Sequence, residues 1–249
     1  MSGRFPFAGV LVAFLLACLP VQADSEQEPV SLTFTTEEYP PFNFLNAAGE
    51  IDGISTHLLR TALAELDARV EFRLLPWARA YTEARLRDDY CVYSTTRTSE
   101  REDLFQWVGP LSKTDWTAFA LSDRALALEN LEQLKGYKVG SFHEDAVGLY
   151  VSEQGIPVIN ASRDSENLQR LKAGIIDVWV TSSLLAPKMA AAEDLHLDAL
   201  FSFKQTELYL ACHPSVDAAF LQRLQEALHR VRSSVEFAVT RSHMLEPSE

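Results

Sequence analysis

Segments with the two-residue period of a strand alternate with segments at helical spacing along most of this chain, and few architectures satisfy that order. Val30–Thr35 is β-rich and alternating, and Tyr39-Pro40-Pro41 turns the chain. Asp52-Gly53 then introduces a helix with Ile54, Leu58, Leu59, Ala62, Leu63 and Leu66 on one face. Val70–Leu75 reads as the next strand, stopped by Pro76, followed by a helix over Trp77–Arg87 and a strand over Cys91–Ser94. Strands separated by helices run parallel and need helical cover on their faces. In such sheets, ligands bind outside the carboxyl ends of the strands.

The pattern restarts after residue 115. Trp116–Leu121, Tyr137–Gly140, Val158–Asn160, Ile176–Val180 and Leu208–Ala211 read as strands. Helices are predicted over Asp145–Glu153, Ser165–Ala173, Ser183–Ala192 and Asp217–Ser233, the last with Phe220, Leu224, Ala227, Leu228 and Val231 in one stripe. No internal repeat is visible, and no Gly- or Ser-rich linker divides the 249 residues. The expected fold is therefore α/β with two lobes, each a mostly parallel sheet flanked by helices, joined by short strands. The expected boundaries are 24–113 plus 209–249 for the first lobe and 114–208 for the second.

Phe5–Leu19 is nearly all apolar after a single Arg4, Pro20 breaks the run, and Val21-Gln22-Ala23 supplies a small-x-small cleavage pattern. Residues 1–23 read as a secretory signal peptide, too short for a mature membrane span, which implies export to the periplasm. Leu15-Leu16-Ala17-Cys18 is a rival, lipoprotein-type site that would retain Cys18 as an anchor. The formal net charge of −13 repels phosphate backbones, which argues against nucleic acid as a partner. In an exported protein Cys91 and Cys212 could pair, but their apolar settings read first as those of free buried thiols. There is no CxxC, HExxH or paired His spacing, so a structural zinc or metalloprotease reading has no support, and no cofactor is expected.

Four segments together resemble the periplasmic solute-binding proteins for polar amino acids, the extracellular solute-binding family 3 class of ABC importers. Thr36–Phe42 (TEEYPPF) is similar to that family's first turn with its aromatic platform, and Asp52–Leu59 (DGISTHLL) to the helix start that follows. Ser94–Arg101 (STTRTSER) with Phe105–Leu111 (FQWVGPL) resembles its Thr-x-Thr-x-x-Arg stretch and hinge entry. Leu134–Gly140 (LKGYKVG) and Leu171–Asp177 (LKAGIID) resemble the second lobe's signature. The resemblance implies a type II periplasmic-binding-protein fold with the ligand in the cleft between lobes. It also implies a small-molecule ligand, an amino acid or organic acid, and a membrane permease or a sensor receptor as partner to a monomer.

Within that resemblance, Arg101 is the residue expected to fork onto a ligand carboxylate, a geometry that Lys cannot supply. Its competing role is a surface arginine paired with Glu100 or Glu102, and Arg97 is a competitor four residues earlier. Thr96 and Ser94 would offer a hydroxyl and backbone groups, and Tyr39 and Trp77 aromatic walls. Where amino-acid binders of the family carry an Asp for the ligand's ammonium, this chain has Ser182. Asp145, Glu38 and Glu37 are the candidate replacements, while Asp177 reads as a structural strand-end residue. Two further readings share the fold: a ligand-sensing module for a membrane receptor, and a cyclohexadienyl-dehydratase-like enzyme. The enzyme would need an acid or base in the cleft, for which His143, Glu144 and Asp145 are the clustered candidates; the expectation is binding without catalysis.

Overall fold

A computed structural model describes residues 30–246 together with Met1 and Gly3. The expected leader, with its alternative sites at Cys18 and Ala23, lies outside the described residues. The first run is β1 (Val30–Thr36), the short pair β2 (Phe44–Leu45) and β3 (Ile51–Asp52), α1 (Ile54–Leu63), β4 (Ala68–Leu74), α2 (Trp77–Leu86) and β5 (Tyr90–Thr96). A long strand, β6 (Gln106–Leu121), leads into β7 (Val139–Phe142), α3 (Ala146–Glu153), β8 (Val158–Ala161), α4 (Glu166–Lys172), β9 (Val178–Ser182) and α5 (Leu185–Ala191). The chain returns along β10 (Leu197–Cys212) and ends in α6 (Ala218–Arg232) and α7 (Val235–Leu245).

Eight strands form one sheet in the order β4-β1-β5-β10-β6-β9-β7-β8. β4, β1 and β5 run parallel, as do β9, β7 and β8, so each β-α-β run builds its own parallel group. The antiparallel pair β6 and β10 joins them. This corrects the expectation of short connecting strands: each crossing strand is 16 residues long. Trp116–Leu121 and Leu208–Ala211 are the ends of these strands rather than separate elements. Their middles, Ser112–Asp115 and Lys204–Glu207, are too polar to read as strand. They pair with each other instead: Thr206 donates to the Thr114 carbonyl (3.3 Å) and Lys113 pairs with Glu207 (3.1 Å).

Each parallel group has its own core. One gathers Phe34, Leu58, Tyr93, Leu210, Phe220 and Leu224; the other centres on Trp116, Leu134, Val139, Val178 and Val180. A third cluster spans the gap, packing Trp77, Tyr81 and Phe105 with Phe142 and Ala161. Cys91 and Cys212, opposite each other on β5 and β10, form a disulfide, which settles the pairing left open by the sequence. α7 escapes periodicity because only Phe237 of it is buried.

Gly53 fixes how α1 enters. Its φ is 115°, and an added Cβ would lie 2.5 Å from the Phe42 carbonyl oxygen. That conformation favours glycine and the obstacle is backbone, so Gly53→Ala is expected to cost about 2 kcal/mol or more. A lowered urea midpoint checks it; an unchanged midpoint would mean that the Tyr39–Asn43 turn yields freely.

Candidate functional site

Residues just past the carboxyl ends of the parallel strands meet where the two groups face each other. The chain beyond β1 brings Glu37 and Tyr39, the end of β5 brings Ser94 and Thr96, and α2 opens with Trp77. From the other group come Glu144 and Asp145 after β7, Asp164 after β8 and Ser182 at the end of β9.

Arg101 lies at the junction and is only 6% exposed. It donates from Nη1 to the Thr96 carbonyl (3.3 Å) and from Nη2 across the gap to the Glu144 carbonyl (2.9 Å). Its guanidinium lies over the rings of Trp77 and Tyr81, 5.3 and 5.0 Å from their centroids. Trp77 Nε1 donates to the same Glu144 carbonyl at 3.1 Å, so one oxygen ties both side chains to the opposite group. Glu144 presents it from a left-handed conformation, φ 60°, unusual for a residue with a side chain. Burial lowers the Arg101 pKa, opposed by Tyr81, Asp145 and Glu37, but a guanidinium keeps its charge. The surface pairing falls to Arg97 instead, which is exposed and binds Glu102 (Nε to Oε2, 2.7 Å).

The remaining groups divide into walls and acids. Ser94 is buried, holds φ 58°, and its hydroxyl has no hydrogen-bond partner among the described residues. Tyr39 packs against Phe42 (5.2 Å between centroids), and burial, with Asp145 and Asp164 adding, pushes its phenol well above the ordinary value. Glu37 is raised in the same way by burial and by Asp145 and Asp164, while Arg101 opposes. Burial, then Asp164, pushes Asp145 up to about 7 against the pull of Arg101 and the Ser141 hydroxyl at 3.2 Å. Asp164 is pushed up to about 6 by burial, although Thr181 (2.6 Å), Trp179 Nε1 (2.7 Å) and Asn167 (3.2 Å) all donate to it.

These shifts set a pH dependence. A carboxyl with a raised folded pKa binds more protons folded than unfolded, so stability falls as pH rises from the unfolded value, near 4, through the folded one. For Asp145 and Asp164 the upper limits are about 7 and about 6. The unliganded protein is therefore expected to melt higher at pH 5.5 than at pH 8, by on the order of 1 kcal/mol in stability. A flat or opposite trend in scanning calorimetry would show that these carboxyls ionise normally.

Two cavities adjoin the junction. Thr96 and Arg101 line a groove of about 650 Å³ that also includes Trp116, Tyr150, Lys204 and Tyr209. Glu37, Trp77 and Asp164 share a smaller pocket of about 290 Å³. Arg101, Thr96, Ser94, Trp77, Tyr39 and Asp145 thus gather at the junction. Glu38 stands at the rim of the smaller pocket; it is exposed and accepts from Leu45 N (3.2 Å), whereas its neighbour Glu37 faces the acids. Ser182 is buried against Thr114 (2.7 Å), and Asp177 serves the fold by binding Arg124 (3.1 Å) and Lys138 N (3.0 Å). His143 is exposed. Sequence reasoning missed Asp164 and Tyr81: the first sits in a Ser-Arg-Asp-Ser helix start that reads as capping, the second in a helix that reads as packing.

Residues 32–242 match the bacterial extracellular solute-binding proteins, family 3. Among solved structures, a histidine kinase sensor domain with similarity to periplasmic binding proteins superposes with a TM-score of 0.80 at 21% identity, covering 88% of this chain and 97% of that one. Holo ArgBP from T. maritima gives 0.74 at 18% identity, with 86% and 95% covered. A Salmonella typhimurium periplasmic binding protein described as highly specific for arginine gives 0.74 at 19%, with 87% and 100% covered. No curated protein matches the chain.

Proposed function

This chain belongs to the bacterial extracellular solute-binding proteins, family 3, and from that premise we propose that it captures a small carboxylate-bearing solute, an amino acid or a relative, in the gap at Arg101. The observation that carries the reading is Arg101 itself, a nearly buried guanidinium lying over two aromatic rings and lining an open groove. Arginine forks onto carboxylates, and hydrogen bonds to a charged partner are worth about 1.5–3 kcal/mol each. Ser94, whose buried hydroxyl has no partner among the described residues, adds a second donor. Three structural neighbours of the same fold are arginine-binding proteins, which suits a carboxylate clamp beside acids.

In this reading residues 24–113 with 209–249 and residues 114–208 are two lobes hinged on β6 and β10. The leader 1–23 is removed on export to the periplasm, and a membrane permease of an ABC importer receives the solute. The likeness to a histidine kinase sensor domain favours a second reading, a ligand-sensing module that engages a membrane receptor. A thermal-shift screen of the protein beginning at Asp24 against amino acids, polyamines and organic acids tests the binding class. A carboxylate at 100 times its Kd should add about 2.7 kcal/mol of stability. Stabilisation by polyamines alone would refute the clamp.

A further inference from the structure

The groove beside Arg101 is larger than a lone small amino acid needs. Its volume of about 650 Å³ falls within the roughly 300–1,000 Å³ typical of sites for larger organic ligands. The Trp77 and Tyr81 rings and the Glu144 carbonyl already occupy part of the Arg101 guanidinium, while Arg101 itself lines the groove together with Thr96. A carboxylate that reaches Arg101 from the groove therefore brings the rest of its molecule along the opposite wall.

That wall is aromatic and ends in a cation. Trp116 and Tyr150 lean together at 5.5 Å between centroids, and Phe203 stacks on Tyr150 at 6.2 Å and 5°. Trp116 is only 3% exposed, so its ring is fixed. Lys204 sits at a register shift of β10, exposed, with its ammonium 4.3 Å from the Tyr150 centroid and 5.1 Å from that of Trp116. Of the neighbouring charges, Arg97 holds Glu102 and Lys113 holds Glu207, while Glu100 accepts from the Ser99 hydroxyl and lies close enough to Lys204 to feel its charge. Lys204 makes no ion pair among the described residues; it rests on the rings rather than on Glu153 at the rim.

We infer that this groove is a second binding compartment for an elongated dianion, with one carboxylate on Arg101, a flat apolar body along Tyr150, and a second anionic group on Lys204. The inference rests on the carboxylate-clamp reading and extends it to the ligand's far end. An exposed ammonium held on ring faces can gain an anionic partner without breaking an ion pair, and the half-buried Tyr150 ring, backed by Trp116, supplies apolar area for a planar spacer.

Calorimetry with benzoylglycine and 4-carboxybenzoylglycine, which carry one and two carboxylates on the same aromatic body, tests it. The dianion should bind roughly tenfold more tightly or better, the scale of one added charge-assisted contact. Lys204→Gln should abolish that difference while leaving benzoylglycine within about twofold, and Tyr150→Leu should weaken both probes. Equal affinities for the two probes, or an advantage that survives Lys204→Gln, would overturn the compartment. If neither probe binds while amino acids still bind through Arg101, the compartment falls and the clamp stands. If both probes bind Arg101→Ala as well as they bind the unaltered protein, the clamp falls as well.

Discussion

Arg101→Ala is expected to weaken carboxylate binding a hundredfold or more. The substitution removes two charge-assisted hydrogen bonds and leaves the ligand's anion without its main partner, together about 3 kcal/mol or more. Arg101→Lys should also lose at least tenfold, because an ammonium keeps the charge and loses the fork. Arg101 further holds the carbonyls of Thr96 and Glu144, so the unliganded alanine variant should lose about 1–3 kcal/mol of stability. Binding is therefore compared where each variant is shown to be folded. Arg97→Ala is the control: Arg97 is exposed and paired with Glu102, an arrangement worth about 1 kcal/mol at most, and its affinity should stay near normal. Abolished binding in Arg97→Ala with intact binding in Arg101→Ala would reverse the assignment.

Removing the disulfide should have the largest effect on folding. Cys91 and Cys212 are 121 residues apart in sequence, and closing so long a loop removes on the order of 4–5 kcal/mol of entropy from the unfolded chain in the loop-closure description. The bond joins β5, which carries Ser94 and Thr96, to the returning strand β10, so it staples the site to one crossing strand. A Cys91→Ala, Cys212→Ala double variant should unfold at a markedly lower urea concentration, a loss of about 3 kcal/mol or more. The unaltered protein unfolded in the presence of reductant should fall by a similar amount. An unchanged midpoint in both would show that the stability of this sheet does not depend on the crosslink.

The alternation of strand and helix periods carried most of the architecture, because buried parallel strands and amphipathic helices write their burial directly into the order of residues. Ile54, Leu58, Leu59 and Ala62 were legible for that reason, as were Phe220, Leu224 and Leu228. The crossing strands were not: Ser112–Asp115 and Lys204–Glu207 satisfy their backbone on each other, so no apolar residue marks them. The site was partly legible. Arg101 and its neighbours were reached through a resemblance in spacing, whereas the cross-gap bonds of Trp77 and Arg101 to Glu144 are made by a main-chain carbonyl, to which sequence is silent. Asp164 is a tertiary feature of the same kind, since its donors come from β9 and α4. Glu37 and Glu38 are adjacent and chemically alike, and only the turn at Tyr39–Asn43 and the β2–β3 pair decide which of them faces the acids.

The claim that the site reads a carboxylate is tested most directly by calorimetry on one matched pair. The amino acid that gives the largest thermal shift is titrated beside the amine that decarboxylation would leave, with the rest of the molecule unchanged. If Arg101 is the clamp, the amine should bind at least a hundredfold more weakly, and that gap should shrink to within about tenfold in Arg101→Ala. Equal affinity of acid and amine for the unaltered protein would contradict the account.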